Sequence, residues 1–365
     1  MFNLFNKDKE KKESANQPVT LRIREVVKET NEAITIYFDQ PEPHLDYKPG
    51  QFLTVIIHLE GKEHRRSYSL CTSPYVDPFP GITVKRLKGG LVSNYLNDYM
   101  HPGKKVSVLR PMGGFITPYH SAHRHHYGMI AAGSGITPIM GLIKSILINE
   151  PESKVSLLYG SRSESQIIFF NALDELLQKY PDRLQVIHQL TQPGPDWQGA
   201  RGRIVAENLQ SFINELEQSD GLITKYFLCG PEGMMELSKS ALQSAEVPKD
   251  QVISESFYME KKETLSNGNE SALAVTQPVT VILEGQSYTF DVTPDKTILE
   301  AGLDEEIEMP YSCQSGLCTA CRGRLLSGEV KMDEDAGLSE NEIAEGYILC
   351  CSSKPKSGEI KINIE

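Results

Sequence analysis

The first third of the chain alternates hydrophobic and polar residues, as strands with one buried face do. Alternating runs begin at Leu21, Ala33, Gln51 and Ile82, and Pro and Gly residues separate them. Several short strands at this spacing predict an antiparallel β-barrel. The preceding residues, 1–17, are rich in Lys, Glu and Asn, and we expect a disordered tail there.

From Tyr127 the pattern changes to buried strands that alternate with helical segments. A helix is expected after the turn Gly133–Pro138 and runs to about Ile148. Apolar strands of this domain are predicted at four places: 127–132, 155–159, 184–187 and 225–228. Strands joined by helices in this way predict a parallel α/β domain with crossover helices.

A third pattern follows a polar stretch at 261–275, whose composition is that of a linker. Beyond it, two alternating runs predict a hairpin, and Ile298 to about Asp304 predicts a short helix, which together indicate a β-grasp layout. The sequence therefore predicts three domains, as its length of 365 residues also suggests. Their expected bounds are 18–120 for the barrel, 121–260 for the α/β domain and 276–365 for the β-grasp domain.

Four cysteines indicate the chemistry of the third domain. Cys313, Cys318 and Cys321 have the spacing C-x4-C-x2-C, and Cys351 follows near the C-terminus. This is the ligand pattern of a plant-type [2Fe–2S] cluster, in which four thiolates hold two irons. A zinc site is the alternative, but zinc sites usually show two close Cys or His pairs, and only one half of that pattern is present.

The fourth ligand has to be chosen between Cys350 and Cys351. If this segment is a strand, the two side chains point to opposite faces and only one can reach the cluster. The span from Cys321 favours Cys351, and the run Tyr347-Ile-Leu-Cys-Cys matches the Y-x-L-x-C pattern of plant-type ferredoxins with Cys351 in the ligand position. Cys350 is then a buried neighbouring thiol.

Three motifs on the predicted barrel indicate a flavin dinucleotide, FAD. Arg66 offers a forked donor to phosphate, Tyr68 an aromatic face to the isoalloxazine ring, and Ser69 a hydroxyl near flavin N5. Gly90 permits close backbone approach, and the helix start at Val92–Ser93 offers N–H groups to a pyrophosphate. Each motif alone is weak, because a surface strand can carry Arg-x-Tyr-Ser by coincidence; their order strengthens the interpretation.

Two turns of the α/β domain predict a nicotinamide dinucleotide site. Gly133, Gly135 and Thr137 belong to a turn that leads into a helix and can cradle a phosphate, although it is not the full G-x-G-x-x-G. Cys229 and Gly230 follow the fourth strand, at the sheet edge where ligands bind. Cys229 either lies beside the nicotinamide, as a catalytic position, or is a small buried residue.

Three further residues bear on the cofactors. Ser161 and Arg162 follow the second strand, where a ribose 2′-phosphate would be recognised, and they favour NADPH. NADH stays possible, since some NADH-dependent proteins also carry Arg at this point. Phe257, after the last strand, either covers the open face of the flavin or packs in the core.

The histidines at positions 120, 123, 125 and 126 form a tract before the α/β domain. A metal site is conceivable there because His is a common ligand. The spacing fits no strong metal-binding template, and we assign the tract no role from sequence.

Charge and composition limit the partners. From Thr276 to Glu365 there are 17 acidic and 7 basic residues, a net charge of −10 out of −12 for the whole chain. An acidic cluster domain predicts steering towards a basic face on a partner protein, with an acidic face kept for solubility as the alternative.

No basic patch indicates nucleic acid, no apolar run is long enough for a membrane span, and no secretory signal is seen. Cysteines in a cluster motif indicate a reducing cytoplasm.

Five motifs, in their order along the chain, resemble those of the ferredoxin–NADP⁺ reductase superfamily with a fused C-terminal ferredoxin. They are Arg-x-Tyr-Ser, Gly-Gly-x-x-Ser, Gly-Ser-Gly-Ile-Thr-Pro, Cys-Gly-Pro-x-x-Met-Met and the cysteine motif. The resemblance covers about residues 18–365. The shared runs are most similar to those of phenylacetyl-CoA epoxidase reductase subunits, and they add Val84 and Lys85 to the expected flavin site. The Gly-Gly-x-x-Ser motif favours FAD over FMN.

The resemblance implies an NAD(P)H-dependent oxidoreductase that converts two-electron into one-electron transfer. NADPH would pass hydride to flavin N5, and Tyr68 and Ser69 would fix the flavin ring. The [2Fe–2S] cluster would then deliver electrons singly to an oxygenase. The expected partner is phenylacetyl-CoA epoxidase, which would dock on the acidic ferredoxin domain. Alternatives are a general ferredoxin or flavin reductase and a reductase for a desaturase or hybrid cluster protein. A non-enzymatic electron carrier or redox sensor is the alternative of another class.

Overall fold

The computed structural model describes residues 18–59, 61–218, 222–255, 257, 276–283, 285–307, 309–311, 316, 320–333, 336–338 and 340–364. The expected tail and linker lie outside these ranges, as do the predicted ligands Cys313 and Cys318. Within the described ranges, the strands form three sheets of six, six and five strands. They correspond to the three predicted classes: an antiparallel barrel, a parallel α/β sheet and a β-grasp sheet.

The first sheet is antiparallel and has the strand order β4-β3-β6-β1-β2-β5. A bridge between Leu70 and Ile82 joins its two ends and closes the sheet into a barrel. Along the first strand, Leu21 and Ile23 are fully buried while the arginines beside them are exposed, which is the alternation that predicted the barrel. Its elements are β1 (Val19–Thr30), β2 (Ala33–Phe38), β3 (Phe52–Leu59), β4 (Lys62–Ser69), β5 (Gly81–Lys85), α1 (Leu91–Tyr99) and β6 (Lys105–Met112).

The second sheet is parallel throughout, with the order β10-β9-β8-β7-β11-β12. The chain leaves its central strand, β7, to one side and later returns to the other side, so ligands are expected at the carboxyl end of β7. Its elements are β7 (His125–Ala132), α2 (Ile136–Asn149), β8 (Lys154–Ser161), α3 (Phe170–Lys179), β9 (Leu184–Leu190), β10 (Ala200–Arg201), α4 (Ala206–Glu217), β11 (Ile223–Cys229), α5 (Glu232–Ser244) and β12 (Val252–Glu255).

The third sheet is mixed, with the order β14-β13-β17-β15-β16 and a parallel pair at its centre. Thr297 begins helix α6 with a capping box, in which its hydroxyl accepts the Glu300 N–H at 3.2 Å and the Glu300 carboxylate accepts the Thr297 N–H at 2.8 Å. The elements are β13 (Gln277–Leu283), β14 (Gln286–Val292), α6 (Ile298–Asp304), β15 (Arg322–Met332), α7 (Glu340–Ala344), β16 (Tyr347–Leu349) and β17 (Ser353–Ile364).

Helix α2 fixes the barrel against the parallel sheet. A Cβ on Gly141 would lie 2.8 Å from the Thr72 carbonyl oxygen, so only glycine permits this approach of helix and barrel. Beside it, the Lys144 ammonium lies 3.0 Å from each Asp77 carboxylate oxygen, and the Ser145 hydroxyl donates to Ser73 Oγ at 2.8 Å. These contacts place the end of β4 next to the carboxyl edge of the parallel sheet.

Among the helices of the described ranges, none has the length and apolar character that crossing a membrane requires.

Candidate redox site

Three side chains meet where the last residue of β4 faces the ends of two parallel strands. The Ser69 hydroxyl donates to Glu255 Oε2 at 3.4 Å. Cys229 ends β11 and Glu255 ends β12, and the two residues lie opposite each other in the parallel register. Ser69 and Cys229 are both buried. The structure thus brings together two of the three predicted catalytic residues, and it adds a carboxyl group to which the sequence assigned no role.

Burial determines the protonation of this group of side chains. It raises the pKa of Glu255 to about 8, while the hydrogen bond from Ser69 acts in the opposite direction. The carboxyl group therefore holds its proton at neutral pH. Burial also raises the pKa of the Cys229 thiol well above its usual value, and the nearby Glu255 acts in the same direction. Cys229 is consequently a neutral thiol at this position, and not a reactive thiolate.

The flavin-facing residues of β4 differ in their surroundings. Tyr68 is half-buried and packs against the barrel core, while Arg66 is exposed. One guanidinium nitrogen of Arg66 donates to the Arg65 carbonyl oxygen at 2.7 Å. Over the part of the chain that the structure describes, Arg66 forms no ion pair with a carboxylate. Its other donors suit a phosphate group.

Helix α1 begins at Gly90 without a side-chain cap and without an acidic residue in its first turn. Its first N–H groups and its dipole therefore favour an anion. Val92 and Ser93 are buried, and the Ser93 hydroxyl accepts the Leu87 N–H at 3.1 Å, which orders the preceding loop. A groove of about 420 Å³ opens at this helix start; it is lined by Leu59, Gly89, Gly90, Leu91, Asn94, Tyr95, Asp98 and Tyr99.

Val84 and Lys85, at the end of β5, lie in different surroundings. Val84 is buried in the barrel core, and its carbonyl oxygen accepts the Asn97 amide N–H at 3.2 Å. The Lys85 ammonium lies 3.5 Å from the position that a Cβ on Gly133 would take. Burial lowers the pKa of Lys85; Glu32 opposes the shift and Arg162 adds to it. The structure therefore places Lys85 between the barrel and the glycine turn, together with Arg162.

The glycine turn requires its glycines for conformation and for packing. Gly133 has φ of 56°, in the left-handed region, and a Cβ on Gly135 would lie 2.0 Å from the Cys229 carbonyl oxygen. Helix α2 then begins without a side-chain cap, and the Thr137 hydroxyl donates to the Ser134 carbonyl oxygen at 2.9 Å. Uncapped N–H groups after a tight turn fit a phosphate.

The remaining nucleotide positions lie around the same sheet edge. Ser161, the last residue of β8, is buried, and its hydroxyl has no hydrogen-bond partner among the residues described here. Arg162 beside it is exposed. A Cβ on Gly230 would lie 3.1 Å from the Ala132 backbone nitrogen and 2.5 Å from Met234 Cε, so a larger residue there would displace the flexible methionine and crowd the backbone. Phe257 is partly buried and packs against the core of the parallel sheet, which favours the packing interpretation.

Two of the predicted cluster ligands are described, and both are buried. The Gly316 N–H donates to Cys351 Sγ at 3.1 Å, and the Cys351 N–H donates to Cys321 Sγ at 3.4 Å. Backbone N–H groups directed at thiolate sulfurs are among the groups that tune a cluster. Cys350 and Cys351 lie in a turn between β16 and β17 and not in a strand. The argument that strand geometry points their side chains to opposite faces therefore does not apply. Cys350 is fully buried, and burial raises its pKa well above the usual value.

Three domain families match the chain in the order of the three sheets. An oxidoreductase FAD-binding domain matches residues 18–116, an oxidoreductase NAD-binding domain matches residues 129–240, and a 2Fe-2S iron-sulfur cluster binding domain matches residues 281–356. The FAD, NAD(P)H and [2Fe–2S] domains predicted from sequence are therefore present.

Several known proteins have the same arrangement along their whole length. One subunit of the 1,2-phenylacetyl-CoA epoxidase of Escherichia coli K12 is 33% identical over 350 residues, 95% of this chain and 97% of that protein. The ferredoxin reductase component of the Mycobacterium tuberculosis 3-ketosteroid-9-alpha-monooxygenase is 35% identical over 358 residues, 94% of this chain and 95% of that protein. The solved structure of phthalate dioxygenase reductase matches 95% of this chain and 98% of its own, with a TM-score of 0.57 and 24% identity. The chain therefore belongs to the ferredoxin–NADP⁺ reductase superfamily, among the reductases with a fused C-terminal plant-type [2Fe–2S] ferredoxin domain.

Proposed function

We propose that the protein is the NADPH-dependent reductase of an oxygenase and that phenylacetyl-CoA epoxidase is its partner. The observation that carries the proposal is the meeting of Ser69, Glu255 and Cys229, because it joins the flavin strand of the barrel to the nucleotide edge of the parallel sheet. The similarity to the E. coli epoxidase protein over 95% of the chain supports the choice of partner. The 35% identity to the ketosteroid monooxygenase reductase makes a steroid oxygenase the second candidate.

The bound flavin supplies the chemistry of the reaction, because it accepts hydride at N5 and gives up electrons one at a time. The protein supplies binding and orientation. Arg66 and the start of α1 would hold phosphate groups of the flavin, and Tyr68 would offer its aromatic face to the ring. The turn at Gly133–Gly135 would hold the nucleotide pyrophosphate on the other side of the domain boundary.

Ser69 and Glu255 would form a hydrogen-bonded pair beside the bound flavin. Ser69 Oγ contacts Glu255 Oε2, and the carboxyl group keeps its proton up to about pH 8. A neutral acid that gives a proton through the serine hydroxyl becomes a carboxylate, so this pair would have to regain a proton before the next turnover. Cys229 is a neutral, buried thiol whose backbone packs against the Gly135 turn, and it would lie on the nicotinamide side of the site.

Two contacts support the cluster domain as the exit for electrons. The Arg65 guanidinium carbon lies 4.6 Å above the ring centre of Tyr311, and the Lys249 ammonium pairs with the Glu340 carboxylate. Arg65 adjoins the flavin-binding Arg66, and Tyr311 precedes the first cysteine of the cluster motif by two residues. Tyr311 therefore contacts the strand that carries Arg66, and the net charge of −10 on this domain favours a basic docking face on the oxygenase.

Replacing Cys351 tests the exit path. Cys351→Ser should lower NADPH-driven turnover of reconstituted phenylacetyl-CoA epoxidase at least tenfold and leave NADPH-dependent ferricyanide reduction within about twofold, because only the first reaction needs the cluster. Cys350→Ser is the matched control and should support the epoxidase. If Cys350→Ser and Cys351→Ser lost epoxidase turnover equally, the assignment of Cys351 and not Cys350 as the fourth cluster ligand would be excluded. A native protein that supports a ketosteroid oxygenase and not the epoxidase would overturn the proposed partner.

Replacing Arg162 tests the preference for NADPH. Arg162→Ala should raise KM for NADPH about tenfold, which corresponds to about 1.4 kcal/mol for a lost charged contact, and should change KM for NADH less than twofold. Steady-state ferricyanide reduction measures both constants. Arg22→Ala is the control, because Arg22 is an exposed arginine that pairs with Asp39. Equal changes for the two nucleotides would show that Arg162 does not contact the 2′-phosphate.

The raised pKa of Glu255 predicts a pH-dependent stability. Between the ordinary pKa of 4.5 and about 8, the unfolded chain has lost this proton while the folded protein keeps it. Stability should therefore fall as pH rises through this window, by at most about 1.4 kcal/mol per pH unit. The Tm advantage of the native protein over Glu255→Gln should shrink from pH 5 to 8 and then level off. Glu359→Gln, an exposed control, should parallel the native profile. A parallel profile for Glu255→Gln would contradict the assignment.

A further inference from the structure

A second cluster of ligating side chains lies on the other edge of the parallel sheet. His123, His125 and Glu150 bring one ligand atom each within 4.8 Å of one another. His123 Nδ1 lies 2.8 Å from Glu150 Oε1, and His125 Nδ1 lies 3.7 Å from Glu150 Oε2. The sequence tract showed no metal-binding template because its third member, Glu150, lies beyond the whole of strand β7 and helix α2.

The carboxylate of this cluster is held in place by neighbouring hydroxyl groups. Ser153 Oγ donates to Glu150 Oε2 at 2.7 Å, and the Tyr127 hydroxyl lies 3.0 Å from the same oxygen. The side chain of Glu150 is completely buried. Arg183 donates to the backbone carbonyl oxygen of Glu150, at 2.9 Å, and not to its carboxylate. Hydroxyl groups that orient a carboxylate in this way resemble the outer-sphere partners of metal ligands.

A buried carboxylate is stabilised by hydrogen bonds and by a nearby cation, both of which offset the loss of hydration. Over the described part of the chain, the basic side chains within 4 Å of its oxygens are those of His123 and His125. Two imidazoles and one carboxylate form a donor set that suits borderline divalent ions such as Zn²⁺, and not Ca²⁺ or Mg²⁺, which prefer oxygen ligands.

The distances also fit such an ion. Zn²⁺ bonds to nitrogen and oxygen are about 2.0–2.1 Å, which places neighbouring tetrahedral donors about 3.4 Å apart. His123 Nδ1 lies 2.8 Å from one Glu150 oxygen and His125 Nδ1 3.7 Å from the other, and one ligand atom of each residue lies within 4.8 Å of the others. Small side-chain movements would therefore bring three donors to the tetrahedral spacing. The side chain of His123 is 30% exposed, so an ion can reach the site from solvent.

We propose that His123, His125 and Glu150 bind one Zn²⁺ ion at a site separate from the redox centre. His125 begins β7 and the redox site lies at the end of the same strand, seven residues and therefore about 23 Å away. The ion joins three segments: the connector from the barrel, the first strand of the parallel sheet and the end of α2. Its role is accordingly to stabilise the junction of the two domains.

Zinc titration of the oxidised protein, loaded with FAD and cluster, tests this site. Calorimetry should show one Zn²⁺ per chain, with unchanged iron content, and Tm should rise with Zn²⁺ concentration. His123→Asn and Glu150→Gln should each weaken binding at least tenfold. His44→Asn is the matched control, because His44 and Asp46 form an exposed pair 3.2 Å apart, and it should bind as the native protein does.

A second measurement identifies the ligands even if Glu150→Gln fails to fold. With one equivalent of Cu²⁺ as the probe, EPR of the oxidised protein should show hyperfine coupling to two imidazole nitrogens, and His123→Asn, a change at a partly exposed position, should reduce this to one. The proposal would be overturned if no stoichiometric binding occurred, or if His44→Asn weakened binding while His123→Asn did not, which would indicate adventitious surface binding only.

Discussion

The redox site depends on the close approach of backbone to backbone at two glycines. Gly141 lets helix α2 lie against the barrel at Thr72, and Gly135 lets the turn before α2 lie against the Cys229 carbonyl. A side chain at either position would clash with backbone and force the two elements apart. The contact between Ser69 and Glu255 spans 186 residues of chain and lies at the boundary that these two approaches hold together.

The electrostatic character of the site follows from the same packing. A carboxyl group at the end of a parallel strand would ordinarily be ionised, but here burial of the partly exposed Glu255 raises the pKa of its carboxyl group to about 8. The thiol beside it is likewise kept neutral by burial. Positive groups lie around this neutral centre, at Arg66, Lys85 and Arg162, where phosphates are expected. The site therefore separates an uncharged region for hydride transfer from charged regions for binding.

Much of the fold could be predicted from sequence because periodicity and turn residues are local signals. The strand Ala33–Phe38 and the helix Ile298–Asp304 have the predicted bounds, and the cysteine spacing indicated the cluster domain without structural information. What the sequence did not reveal depends on contacts between distant segments. Glu255 and Glu150 acquire partners only in the folded chain, although an acidic residue at the end of the last parallel strand could have been recognised as lying at the ligand edge.

The central claim is that electrons pass from NADPH through the flavin to the cluster within one chain. An anaerobic titration with NADPH, followed by visible absorption and low-temperature EPR, tests it most directly. Bleaching of the flavin band together with the signal of a reduced [2Fe–2S] cluster, approaching one spin per chain, is the predicted result. A fully bleached flavin without any cluster signal would contradict the account, because it would mean that the cluster is absent or not connected to the flavin.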